Sequence, residues 1–155
     1  MKKYIREILW GAFALYCVFL LWILFFSREA KRWIPINEYI AEYSSIVPFR
    51  TTLKYIKFIC RKQNWDSFRL AFYNIGGNLI LFLPMGFFLP LLFPRMRKFS
   101  RIMLNIGCMI FMTEILQALL RLGIPDVDDV IFNFIGAWVG YGINKRFSEY
   151  ISIVP

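Results

Sequence analysis

The chain has 155 residues, a formal net charge of +9, and 59% hydrophobic residues against 19% charged ones. Soluble domains run about 45–50% apolar and about 25% charged, so this is not an ordinary water-soluble fold, and the length allows one domain. There is no histidine, which removes Ser-His-Asp, Cys-His and zinc–histidine chemistry together.

Seventeen Phe, eight Tyr and five Trp supply the aromatic excess expected where rings anchor helix ends at bilayer interfaces. The basic residues cluster between apolar runs, where they set topology or meet anionic lipid head groups; nucleic acid is not expected as a partner. Cys17 and Cys108 fall in apolar runs and Cys60 between them, so neither a disulfide framework nor a C-x-x-C pattern is present.

Ile8 to Phe26 is an uncharged run preceded by Lys2, Lys3 and Arg6. Its length predicts a membrane-spanning helix. It ends in Phe25, Phe26, Ser27 and Arg28, without the small residues of a cleavage site, which predicts an uncleaved span.

Residues 27–70 form a long segment expected on the outer face. Leu53, Ile56 and Cys60 recur at helical spacing, and Arg50, Lys54, Lys57 and Arg61 follow the same period. Apolar atoms on one face and cations on the next suit a helix lying in the interface plane, although a solvated loop helix carries the same pattern.

Ala71 to Phe93 is the second apolar run, containing Asn78, Pro84 and Gly86. Pro84 predicts a kink. Ile102 to Leu120 is the third and contains Glu114; Val130 to Ile143 is the fourth and short for a crossing. The fold expected is all-α: four transmembrane helices plus an interfacial helix. Short flanks rich in Lys and Arg at 1–7, 94–101 and the C-terminal tail place both termini in the cytoplasm. The cations of the first loop argue the other way.

At about 100° per residue, Gly107, Glu114, Gln117 and Arg121 share one face of the third helix. Asn133, Gly136 and Gly140 share one face of the fourth, where a G-x-x-x-G spacing permits close helix approach. The short turn between these helices makes them antiparallel neighbours. Gln117 and Arg121, one and two turns later, can hydrogen-bond or pair with Glu114, which admits two readings: a group bridging helices through Gln117, Asn78 or Asn133, or a functional carboxyl. The Asp126-Val127-Asp128-Asp129 cluster admits three: helix capping, a divalent-cation site, or a recognition site in which Asp126 and Asp129 face Glu114. No cofactor is implied beyond that cation reading.

In this order the residues resemble the VanZ-like family of small bacterial membrane proteins. Val47-Pro48-Phe49 is similar to the family's N-L-x-P-F element, with Ser45 at the asparagine position. Asn78 to Gly86 is similar to N-x-x-x-F-x-P-x-G. Glu114-x-x-Gln117 resembles E-x-x-Q, and Asp126-x-x-Asp129-x-x-x-Asn133-x-x-Gly136 resembles D-x-x-D-x-x-x-N-x-x-G. Many relatives carry arginine three residues before the first aspartate. Here that position is Gly123, leaving open whether Arg121 supplies the charge instead. The resemblance implies a bacterial cell-membrane protein concerned with the envelope, with teicoplanin-type resistance as the associated phenotype, and supplies no mechanism.

Three functions fit. The first is a non-enzymatic protein that recognises membrane lipid, a lipid-linked precursor or a lipopeptide. Its polar pocket would comprise Asn78, Glu114, Gln117, Arg121, Asp126, Asp129 and Asn133, beside the basic face. The second is an intramembrane enzyme using Glu114, Asp126 and Asp129 as acid, base or Mg²⁺ ligands. A transporter is the third; it would require an oligomer, which the glycine spacing allows.

Overall fold

The computed structural model describes residues 2–31, 33–62, 65–123 and 125–150. The helices among them are α1 (Lys2–Leu21), α2 (Ile36–Tyr43), α3 (Arg50–Lys62), α4 (Trp65–Ala71), α5 (Gly77–Leu92), α6 (Phe99–Leu120) and α7 (Val127–Tyr150). A π-helical turn, Trp22–Phe26, lengthens α1; another, Phe72–Gly76, joins α4 to α5; a 3₁₀ turn, Pro94–Met96, precedes α6.

Among the described residues, three segments are long and apolar enough to cross a membrane: Tyr4–Phe26, Phe72–Leu92 and Phe99–Leu120. The protein is an all-α membrane protein. The run Val130 to Ile143 is only the middle of α7, which has 24 residues. Its length is therefore ample, and its polar ends set it apart: Asp128 and Asp129 at the start, Asn144 to Arg146 near the end.

Lipid covers what a soluble protein would have to bury. Ile102, Ile106 and Ile110 form the fully buried stripe of α6, whereas Leu104, Phe111 and Leu119 on its other side are exposed. Lipid tails are as apolar as leucine, so tight association must come from close packing and polar ties rather than from hydrophobic burial.

The tightest packing joins α5 to α7. A Cβ on Gly136 would lie 1.9 Å from the Leu79 carbonyl oxygen, one on Gly140 2.0 Å from that of Leu83, and one on Gly86 1.9 Å from that of Ala137. Further along, the Asn144 side-chain amide donates to the Phe87 carbonyl at 2.9 Å. The pairs 79/136, 83/140 and 87/144 advance by four on both helices, which makes α5 and α7 parallel with interlocked i±4 ridges. The G-x-x-x-G spacing is thus used within the subunit against the second apolar run. α6 is also a neighbour of α7, with the Phe134 ring 3.5 Å from where a Gly107 Cβ would stand.

α5 continues through both Pro84 and Pro90. Tyr16 donates to the Leu81 carbonyl at 2.8 Å, and Asn144 to that of Phe87, each one residue beyond the carbonyl, Ile80 or Gly86, that a proline four residues on leaves without its helical donor.

Candidate functional site

The first loop folds onto the α6–α7 turn. Ser45 N–H donates to the Pro125 carbonyl at 2.8 Å, and Val127 N–H to the Ser45 carbonyl at 3.0 Å, a parallel bridge between Ser45 and Asp126. Tyr39, only 1% exposed, donates from its hydroxyl to the Gly123 carbonyl. These contacts bring the Val47-Pro48-Phe49 element beside the aspartates.

Each aspartate then takes a different role. Asp126 caps its own helix: one carboxylate oxygen accepts from the Asp128 N–H at 2.9 Å. Asp128, 2% exposed, caps α3 from outside, accepting from the Phe49 N–H, from the Thr52 N–H at 2.9 Å and from the Thr52 hydroxyl at 2.8 Å. A carboxylate there meets both the orphan N–H groups and the positive end of the helix dipole. It also holds Phe49 at φ 61°, a backbone region that side chains other than glycine rarely adopt. Asp129 accepts from the Asn78 amide, tying the start of α7 to that of α5.

Glu114 lies behind this layer. The Asp126 backbone N–H donates to its carboxyl, and Asp129, Arg28 and Asp126 are its electrostatic neighbours. Arg28 is also a neighbour of Asp129, so one guanidinium serves two acids. The turn after α1 carries it there, and its Nη1 stands 2.5 Å from where a Gly123 Cβ would be. Arg28 rather than Arg121 therefore occupies the space that a side chain at 123 would enter.

Several sequence-derived partners lie elsewhere. Gln117, 4% exposed, donates to the Leu24 carbonyl at 2.8 Å, linking α6 to the turn after α1. Arg121 ends α6 in the left-handed conformation, φ 55°, and donates to the Ile34 carbonyl at 3.0 Å. Its N–H and that of Leu122 bond back to the Ala118 and Gln117 carbonyls, a Schellman-type ending in which arginine takes the usual glycine position. Asn133 is 3% exposed, and its side-chain oxygen has no hydrogen-bond partner.

In front of Asp126 and Asp129 opens a cavity of about 600 Å³, within the range of small-molecule sites. Arg28, Arg50 and Lys54 supply its cations; Asn74 and Asn78 its amides; Tyr55, Tyr73 and Phe132 its rings. Glu114, Gln117, Arg121 and Asn133 are not among the lining residues. Nor are Lys57 and Arg61, so the four-cation face of α3 divides into a cavity pair and an outer pair. Burial, followed by the charges of Asp129 and Asp126, pushes the Tyr55 phenol above its ordinary pKa, which keeps it a hydrogen-bond donor. Among the described residues no group of three or more acidic or cysteine side chains is placed to hold a metal ion.

Residues 13–148 match the family model described as VanZ/LLP1. This chain belongs to the VanZ/LLP1 family. It is similar to Protein VanZ of Enterococcus faecium, with 25% identity over 142 residues, covering 88% of this chain and 74% of that protein. No solved structure matches it.

The VanZ/LLP1 match runs from α1 into the last turns of α7, so the cavity and the helix ladder fall inside it. Within this family member, sequence reasoning overlooked Asp128, Arg28 and Asn144 as polar ties. Asp128 had a signal, since capping by one aspartate left the others unexplained. Arg28 was one of many cations in a loop, and nothing in its local sequence marks it.

Proposed function

We propose that this VanZ/LLP1 protein is a non-enzymatic recognition protein of the bacterial envelope. Its cavity takes the head group of a lipid-linked wall component or of a lipoglycopeptide, and that binding contributes to teicoplanin-type resistance. The carrying observation is the cavity itself: cations from the turn after α1 and from α3, with carboxylates from the start of α7 and the residue before it, line one volume fit for a head group. In the orientation favoured by the basic short flanks, with α7 as a fourth crossing, this end of the bundle faces outward.

Catalysis fits less well. Asp126 and Asp129 each commit an oxygen to capping or to Asn78, and Glu114 is not among the lining residues. The test is binding of lipid-linked wall precursor and of teicoplanin to protein in nanodiscs, with drug susceptibility measured in parallel. Asp129→Asn should weaken binding about tenfold, about 1.4 kcal/mol. Wild-type protein that holds neither compound overturns the reading.

A further inference from the structure

Within that reading, we propose that the cavity contains a dedicated phosphate subsite formed by Arg50 and Lys54, and that its ligand is the phosphate of a lipid whose tail leaves over the aromatic row on α4 and the turn that follows it. The two cations stand one helical turn apart on α3, both line the cavity, and both are exposed. Arg28, the third cation of the lining, already faces Glu114 and Asp129. An anion entering the cavity therefore meets Arg50 and Lys54 first.

The pairing of residue types narrows the anion. A guanidinium fork grips two oxygens of a planar or tetrahedral anion, whereas an ammonium is a compact point charge. A carboxylate is saturated by the fork alone; phosphate has further oxygens for Lys54 and for the neutral donors Tyr55 and Tyr73. The N-terminus of α3 cannot compete for the anion, because Asp128 occupies it.

Neighbouring rings supply the path for the tail. Tyr73 lines the cavity; its ring centroid lies 6.4 Å from that of Phe72, Phe72 stacks on Phe68 with centroids 6.3 Å apart, and Phe68 on Trp65 with centroids 5.5 Å apart. All four are exposed, Trp65 at 72%, and Arg69 lies over the Tyr73 ring at 5.9 Å. An exposed aromatic row thus begins at the cavity wall and runs back along the turn to α4. Rings placed in this way belong to the membrane interface, and free phosphate would make no use of them.

The experiment compares two double variants of equal charge, Arg50→Gln/Lys54→Gln and Lys57→Gln/Arg61→Gln, each in phosphatidylcholine nanodiscs with its melting temperature checked. The probes are a polyprenyl monophosphate, the matching uncharged polyprenol and inorganic phosphate. Wild type should bind the polyprenyl phosphate and neither other probe. The cavity pair should lose about tenfold or more, and the outer pair should change less than about twofold. Equal losses would reduce α3 to a diffuse basic surface and overturn the subsite. So would inorganic phosphate binding as tightly as the lipid. If neither double variant matters while Asp129→Asn still weakens binding of the wall precursor, the subsite falls and the recognition reading stands; if wild type binds neither polyprenyl phosphate, wall precursor nor teicoplanin, both fall.

Discussion

The Arg28 guanidinium stands where a side chain on Gly123 would enter, within reach of the charges on Glu114 and Asp129. Two segments far apart in sequence thus offer alternative routes for one cation into the same space. Arg28→Ala should destabilise the protein by about 2 kcal/mol, because it leaves two partly buried carboxyls without their countercharge. Gly123→Arg in that background should recover most of the loss. Thermal melting in detergent reads both, and a double variant no better than Arg28→Ala would show that the backbone at 123 cannot deliver the charge.

The α5–α7 contact makes a sharper distinction among the glycines. At Gly86, Gly136 and Gly140 a Cβ would collide with a carbonyl oxygen, whereas Gly11 and Gly142 have nothing within 4 Å. Alanine at any of the first three forces the helices apart and forfeits neighbouring contacts, at an expected cost of about 3 kcal/mol or more. Alanine at Gly142 should be neutral or stabilising by about 0.5 kcal/mol through reduced backbone entropy. Monodispersity and melting temperature of the single variants provide the comparison.

Asp128 controls whether α3 stays docked. Asp128→Ala strips the Phe49 N–H, the Thr52 N–H and the Thr52 hydroxyl of their acceptor, for an expected loss of about 2 kcal/mol. Asp128→Asn keeps one oxygen and should recover part of it. Hydrogen exchange supplies the local readout: amides at the start of α3 should lose protection, while those of the Ile102–Ile110 stripe should not. Uniform loss across both helices would mean that Asp128 supports the whole fold instead.

The apolar helices and the acidic turn were legible because each is a local pattern: a long uncharged run, and aspartates crowded at a helix start. Partner choice was not local. Hydropathy does not reveal that Gly136 faces Leu79 instead of the α6 neighbour that a short turn suggests. Asn144 lies just beyond the apolar window Val130 to Ile143, so counting hydropathy cut off the last rung of the ladder. Gln117 shares a helix face with Glu114, but its bond is to Leu24, a backbone carbonyl that no residue pattern identifies. Arg28 was invisible for the same reason: its role depends on where the turn after α1 delivers it.

Tyr55 gives the cavity a pH signature. Its phenol is raised first by burial and then by the charges of Asp129 and Asp126. A phenol raised on folding contributes stability that is full below the unfolded value of about 10 and is lost as pH climbs through the folded one. Wild-type protein should therefore lose more stability than Tyr55→Phe as pH rises above about 10. Asp129→Asn should shrink that difference without abolishing it, since burial remains the larger cause. Melting temperature followed against pH in the three proteins decides the matter, and superimposable curves for wild type and Tyr55→Phe would place the phenol in open water instead of on the cavity wall beside the acids.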